Sequence, residues 1–121
     1  MKTLFTALLA ACALATPALA ITYPVSGRWG QSTETKPGPI DCTNKRVIRF
    51  GNDRRFDSGG GVPEYRALNL VPQGNRAFRI TEAFNTGQIN AKVNYTLRLI
   101  DSDRIELAMS PGGTLKLKRC A

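Results

Sequence analysis

The sequence predicts an all-β protein, a small antiparallel up-and-down barrel of about six to eight strands. Apolar and polar residues alternate with a period of two, most clearly over 89–99. Clusters of Gly, Pro and Asn separate the alternating runs, as turns separate short strands. No stretch carries the 3.6-residue period of an amphipathic helix.

The first twenty residues have the features of an export signal. Lys2 precedes an apolar run that is too short for a membrane-spanning helix, and small residues lead to a cleavage site after Ala20. We therefore expect a signal peptide over 1–20 and a single periplasmic or secreted domain over 21–121. Because the residues before Cys12 also resemble a lipobox, a lipoprotein anchored through Cys12 is the alternative.

Removal of the signal leaves two cysteines, Cys42 and Cys120. In an oxidising compartment we expect them to form one disulfide. In the chain-entropy model, closing a loop of about 78 residues contributes roughly 4.5 kcal/mol of stability. A lone cysteine pair in a chain without histidine predicts no metal site, and no motif predicts a cofactor.

The strands follow from the alternation, taken in chain order. Weaker patterns predict strands near 44–50, 64–71 and 76–82, and the last third predicts a three-stranded meander over 89–99, 104–109 and 114–120. The run over 89–99 would be about 36 Å long, too long for one simple hairpin. Such a strand fits a barrel if one of its ends pairs with the preceding strand and the other end with the following strand.

The two ends of the mature chain resemble lipocalin-like barrels. Gly27-Arg28-Trp29 is similar to the Gly-x-Trp that opens the first strand in that family, and Arg119 stands where such barrels place a basic residue. The resemblance implies that Arg119 lies across the Trp29 ring and closes the barrel base, a contact worth about 0.5 to 2 kcal/mol. A tryptophan in an ordinary strand is the alternative.

A narrower resemblance is to small secreted barrels that inhibit bacterial metalloproteases. Residues 21–25 resemble the extended tail of those inhibitors, which precedes a Ser-Gly-x-Trp like that at 26–29. The resemblance implies that the tail enters a protease cleft. The chain departs from that family in its disulfide, because Cys42 and Cys120 would close nearly the whole domain and not a short early loop.

Enzymatic chemistry is not predicted. Without histidine the chain has no Ser-His or Cys-His nucleophile system. Asp53 and Asp57 lie beside two arginines that should keep them ionised, which makes them poor general acids. The glycine run 58–61 lacks the lysine of a phosphate-binding loop and is expected to be a mobile loop.

Positive charge is the surface property that the sequence gives directly. Without Lys2 the chain has sixteen basic and nine acidic residues, a net charge of +7. If the disulfide joins the two ends, it brings two basic clusters together into one patch. The residues of this predicted patch are Lys45, Arg46, Arg49, Lys116, Lys118 and Arg119.

These observations predict an exported, non-enzymatic domain that recognises an anionic envelope component or a protein partner through a basic surface. The partners expected are anionic lipid, lipopolysaccharide or an acidic protein, and nucleic acid is not expected in that compartment. One alternative is a secreted inhibitor of a protease or other hydrolase that acts through the tail or the loop 58–63. Another is a charged face that only keeps the protein soluble. If side chains fill the barrel interior, no cavity is left for an interior ligand, and surface recognition becomes the favoured function over ligand carriage.

Overall fold

A computed structural model describes residues 21–121, so the predicted signal peptide and Cys12 lie outside the described residues. Within that range the chain forms one closed antiparallel barrel in which each strand pairs with the next and the last pairs with the first. The strands are β1 (Gly27–Gln31), β2 (Val47–Gly51), β3 (Arg54–Asp57), β4 (Glu64–Pro72), β5 (Ala77–Asn85), β6 (Asn90–Asp101), β7 (Arg104–Met109) and β8 (Gly113–Arg119). The all-β barrel expected from the sequence is confirmed. Residues 21–121 contain no helix long and apolar enough to cross a membrane.

The longest strand, β6, bridges its two neighbours as expected. Residues 90–98 pair with β5, and pairing with β7 begins only at Tyr95, opposite Met109. Residues 90–94 therefore extend beyond the end of β7, a geometry that shapes the rim of the barrel. The three-stranded meander of the last third is also present.

Strand β3 is the element that the alternation did not reveal. Its four residues, Arg54 to Asp57, include three charged ones, and a two-residue turn joins it to β2. In that turn Asn52 has a φ of 49°, a left-handed conformation that asparagine tolerates better than most residues.

The connection between β1 and β2, residues 32–46, returns across the outer side of β8. Ile40 forms a parallel bridge with Cys120, and the predicted disulfide joins Cys42 to Cys120. Gly30 on β1 allows this close packing, because a Cβ there would stand 2.6 Å from the Cys42 Sγ. The disulfide is confirmed.

Side chains fill the barrel between its two ends. The base is formed by residues 21–26 and by the turns before β3, β5 and β7, and the mouth is formed by the connections before β2, β4, β6 and β8. The large apolar side chains exposed by 2% or less are Trp29, Ile48, Phe50, Ile80, Tyr95, Leu97, Ile105, Leu107 and Leu117. Two buried charged residues, Arg55 and Glu82, share this interior.

Candidate functional site

The barrel closes at its base through Trp29 and Arg119, which stand opposite each other on β1 and β8. The guanidinium carbon of Arg119 lies 4.3 Å from the centre of the Trp29 ring. Trp29 is buried, and its Nε1 donates to the Ser26 carbonyl at 3.0 Å. Arg119 also donates to the Ser102 carbonyl and lies 3.6 Å from Asp103. The structure thus brings together the two residues that the lipocalin-like pattern pairs.

The six cations of the predicted patch do not gather on one surface. Arg119 is engaged at the base, and Arg46 donates to both carboxylate oxygens of Asp57, at 3.0 and 2.7 Å. Lys118 is only 1% exposed. The remaining three, Lys45, Arg49 and Lys116, are exposed. The prediction that Lys118 contributes to an exposed patch is wrong.

Lys118 is buried because the chain covers it. It lies on β8 directly opposite Gly30 and faces away from the interior, as its alternation with the buried Leu117 requires. The connection 32–46 then passes over it, and the Lys118 Nζ donates to the carbonyl of Lys36. Strand alternation predicted the direction of the side chain correctly but gave no sign of the segment above it.

Four of the exposed cations lie on the outer face of β1 to β4 in two directly opposed pairs. Arg28 stands directly opposite Arg49, and Arg54 directly opposite Arg66. Directly opposed like charges destabilise a sheet. We call these four arginines the basic wall. Arg54 pairs with Glu64 at 2.9 Å, whereas the other three have no ion-pair partner among residues 21–121.

One member of the basic wall is fixed against the barrel by an aromatic ring. The Arg49 guanidinium carbon lies 4.1 Å from the centre of the Phe56 ring, which stands opposite it on β3. The ring covers the apolar face of the guanidinium and leaves its N–H groups at the edge free to donate. Arg49 is therefore held in position while its donors remain exposed to solvent.

The protein keeps its excess charge on its surface. The buried charged residues are two cations, Arg55 and Lys118, and two carboxylates, Asp57 and Glu82, which cancel. The net charge of +7 on residues 21–121 therefore lies entirely on side chains that contact solvent. A surface of this sign attracts anions over about one Debye length, roughly 8 Å at physiological ionic strength.

An ion pair occupies the centre of the barrel. The Nε and Nη2 of Arg55 donate to the carboxylate of Glu82, with a shortest distance of 2.7 Å. The hydroxyls of Tyr23 and Tyr95 donate to the same carboxylate at 2.8 and 2.7 Å. The guanidinium carbon of Arg55 also lies 4.0 Å from the Tyr65 ring centre. The Glu82 carboxylate thus accepts hydrogen bonds from three side chains.

A second carboxylate links this pair to the mouth. Asp57 Oδ2 lies 3.9 Å from the Arg55 Nη1, and the same carboxylate receives the Arg46 side chain and the Gly59 amide. We call Arg46, Arg55, Asp57 and Glu82 the buried charge cluster. Positive and negative side chains alternate in this cluster from Arg46 near the mouth to Glu82 at the centre, and the cluster has no net charge.

The pKa shifts follow from this arrangement. Burial and the nearby Glu82 carboxylate raise the pKa of Tyr95 well above its usual value. Burial alone would lower the pKa of Arg55, but its hydrogen bonds to Glu82 raise it. Burial alone would raise the pKa of Asp57, but the Arg46 side chain and the Gly59 amide lower it. These directions keep the tyrosine neutral and the arginine and aspartate charged at neutral pH.

Sequence reasoning missed the charge cluster, although one signal pointed to it. The predicted strand 76–82 places Phe78 and Ile80 on the inner face, and the same period places Glu82 there. Arg55 gave no such signal, because β3 was not predicted. The glycine run after β3, expected to be mobile, contacts the cluster at Gly59.

The tail that the inhibitor hypothesis requires is folded onto the base of the barrel. Tyr23 is only 5% exposed, packs edge to face on Phe50 at 5.0 Å and donates to Glu82. Residues 21 and 25 pack partly against the core. An extended tail that reaches into a protease cleft would have to leave these contacts.

Residues 21–121 hold no group of three or more potential metal-ligating side chains. Comparison of the chain with protein-family models, with curated proteins and with solved structures finds no match. The functional argument therefore rests on the geometry of these side chains.

Proposed function

We propose that this protein is a non-enzymatic binding domain that recognises a phosphate-bearing component of the bacterial envelope through the basic wall. The observation that carries the proposal is the register of the wall, in which Arg28 opposes Arg49 and Arg54 opposes Arg66. Such pairs cost stability unless a counter-charge is present. Arg54 already pairs with Glu64, but the other three arginines of the wall have no ion-pair partner in residues 21–121. An anionic surface of phosphate groups would supply that charge, and arginine binds phosphate through paired N–H donors.

The shape of the surface also favours this side of the barrel as the binding site. A cleft of about 520 Å³ borders the wall, with Arg54 and Arg66 on one side and Phe84 beyond them. Tyr65 packs edge to face on Phe84 at 5.6 Å in the lining of this cleft. A charged face next to a partly aromatic cleft suits a head group that carries phosphate and an apolar portion. The expected export of the protein would bring it to such groups, and the disulfide is consistent with export.

Vesicle binding tests the proposal. We expect the purified protein to float with vesicles of phosphatidylglycerol and phosphatidylcholine, but not with phosphatidylcholine alone. Binding should weaken steeply as salt rises. Because each basic residue near an anionic membrane contributes about 1 kcal/mol, Arg28→Ser/Arg49→Ser should weaken binding by about thirtyfold.

A matched control removes the same charge from another face. Arg79 on β5 and Lys116 on β8 are exposed and lie outside the wall. Arg79→Ser/Lys116→Ser should retain most of the affinity if the wall is the binding surface. Equal losses of vesicle affinity in the two double variants would show that binding depends on total charge and not on the basic wall. No binding of the parent protein to the anionic vesicles would refute it and favour the role of a merely solubilising face.

A further inference from the structure

A second site lies at the barrel mouth, and it shares Tyr65 with the cleft beside the wall. The overhang of β6 past the end of β7 leaves a cavity of about 280 Å³. We call it the mouth pocket. Its lining is formed by Arg55, Tyr65, Lys92, Val93, Asn94, Met109, Ser110 and Pro111. The volume corresponds to about nine waters in the liquid, close to the lower limit of small-molecule sites.

Arg55, which helps to line this pocket, carries the one buried side-chain polar atom of residues 21–121 that lacks a hydrogen-bond partner. That atom is the Nη1 of Arg55, in a side chain that is only 1% exposed. Buried polar groups are nearly always hydrogen-bonded, so an unused donor on a residue that lines a cavity indicates a missing acceptor. The carboxylate of Asp57 does not fill this role, because it lies 3.9 Å away and already receives Arg46.

Charge indicates what kind of acceptor would fit. The buried charge cluster is neutral, and Lys92 at the pocket rim adds one positive charge without an ion-pair partner in the described chain. A ligand with a single negative charge would bring the total to zero. A dianion would leave an uncompensated charge next to Asp57, which is unfavourable in a partly buried site.

The rest of the lining suits an apolar body. Val93, Met109 and Pro111 supply aliphatic surface, and the Tyr65 ring stacks on Arg55 at 4.0 Å. Methionine adapts its shape to different ligands. From these observations we propose that the mouth pocket binds a small monocarboxylate with an apolar body, its carboxylate accepting from Arg55 Nη1 and facing Lys92.

Titration with three six-carbon probes tests the inference. We expect hexanoate to bind the purified protein saturably, at least about tenfold more tightly than hexan-1-ol, because a carboxylate makes a charge-assisted bond to Arg55. Hexylamine should not bind. Amide resonances of Val93 and Asn94 should shift on titration, whereas those of the basic wall should not.

Lys92→Ser changes the rim without touching the buried cluster. It should weaken hexanoate binding by about two- to fivefold and leave hexan-1-ol binding unchanged, as expected for an exposed charge. Lys116→Ser is the matched control and should change neither. Arg28→Ser/Arg49→Ser should retain hexanoate binding, which separates this site from the proposed envelope-binding function. The inference is overturned if hexanoate does not bind saturably, if it binds no more tightly than hexan-1-ol, or if Lys92→Ser binds it like the parent.

Discussion

Removal of one charge of the buried Arg55–Glu82 pair should lower the free energy of unfolding more, per charge removed, than removal of both charges together. Arg55→Met leaves the Glu82 carboxylate fully buried with two tyrosine donors but without its cation. Removal of one partner from a buried pair costs about 3 to 5 kcal/mol, and we expect the upper part of that range. Glu82→Gln should cost less, because Arg55 retains Asp57 at 3.9 Å and the Tyr65 ring at 4.0 Å.

The double variant Arg55→Met/Glu82→Gln removes both charges. Glutamine retains an oxygen that can accept from the tyrosine hydroxyls. No buried charge is then left uncompensated, so the double variant should be more stable than the sum of the two single losses predicts. We expect a coupling free energy of about 2 to 3 kcal/mol, the upper part of the range for residues in direct contact.

Urea unfolding followed by the fluorescence of Trp29 measures these values. Trp29 is the one tryptophan of the chain and is 1% exposed, so it should report global unfolding. The pair Arg98–Glu106, at 3.4 Å, has an exposed arginine and a partly exposed glutamate and is the control, and Arg98→Met/Glu106→Gln should show a coupling below about 1 kcal/mol. If the Arg55 and Glu82 losses add within about 0.5 kcal/mol, the two side chains do not stabilise each other and the reasoning fails.

Three further predictions concern stability. Burial and Glu82 raise the pKa of both Tyr23 and Tyr95, so each ionises first in the unfolded chain, and above about pH 10 the stability that each contributes should fall by up to about 1.4 kcal/mol per pH unit. Alkaline urea titrations should show a smaller fall in Tyr95→Phe. Cys42→Ser/Cys120→Ser should lose about 4.5 kcal/mol of unfolding free energy, and equal stability of the oxidised parent and this variant would contradict the loop-closure argument. Trp29→Ala should cost about 3 to 5 kcal/mol and Arg119→Ala less, measured by circular dichroism in urea; a larger loss for Arg119→Ala would contradict the packing at the base.

Sequence alternation predicted the fold where one face of a strand is uniformly apolar. In the meander, Tyr95 and Leu97 are buried as predicted, and β7 and β8 follow the same rule at Leu107 and Leu117. The rule failed for β3, because its inward positions hold Arg55 and Asp57. A charged residue on an inner face breaks the apolar pattern, and its partner lies on another strand that the local pattern does not identify.

The candidate site was harder to predict because it depends on contacts between strands that are distant in sequence. Lys118 looked like a surface cation until the connection 32–46 was found to cover it. The sequence assigns Arg28 no role beyond its place in the Gly-x-Trp pattern, yet the register places it opposite Arg49. Register follows from the closure of the whole barrel, so the basic wall could not be read from any single segment.

The distribution of the carboxylates argues that the counter-charge for the basic wall comes from outside residues 21–121. Seven of the nine acidic side chains form ion pairs within the described chain. The other two, Glu34 and Asp41, both lie in the connection 32–46, where Asp41 accepts from Thr43. Asp41 lines one cleft with Arg28 but forms no ion pair with it. Arg49 and Arg66 also have no ion-pair partner in residues 21–121, so close counter-charges for the wall would be dissolved ions or a bound anion. Dissolved ions around the arginines would be displaced at little cost. A partner that carries several phosphates on one surface therefore gains affinity when it releases these ions. The salt dependence of vesicle binding measures this gain.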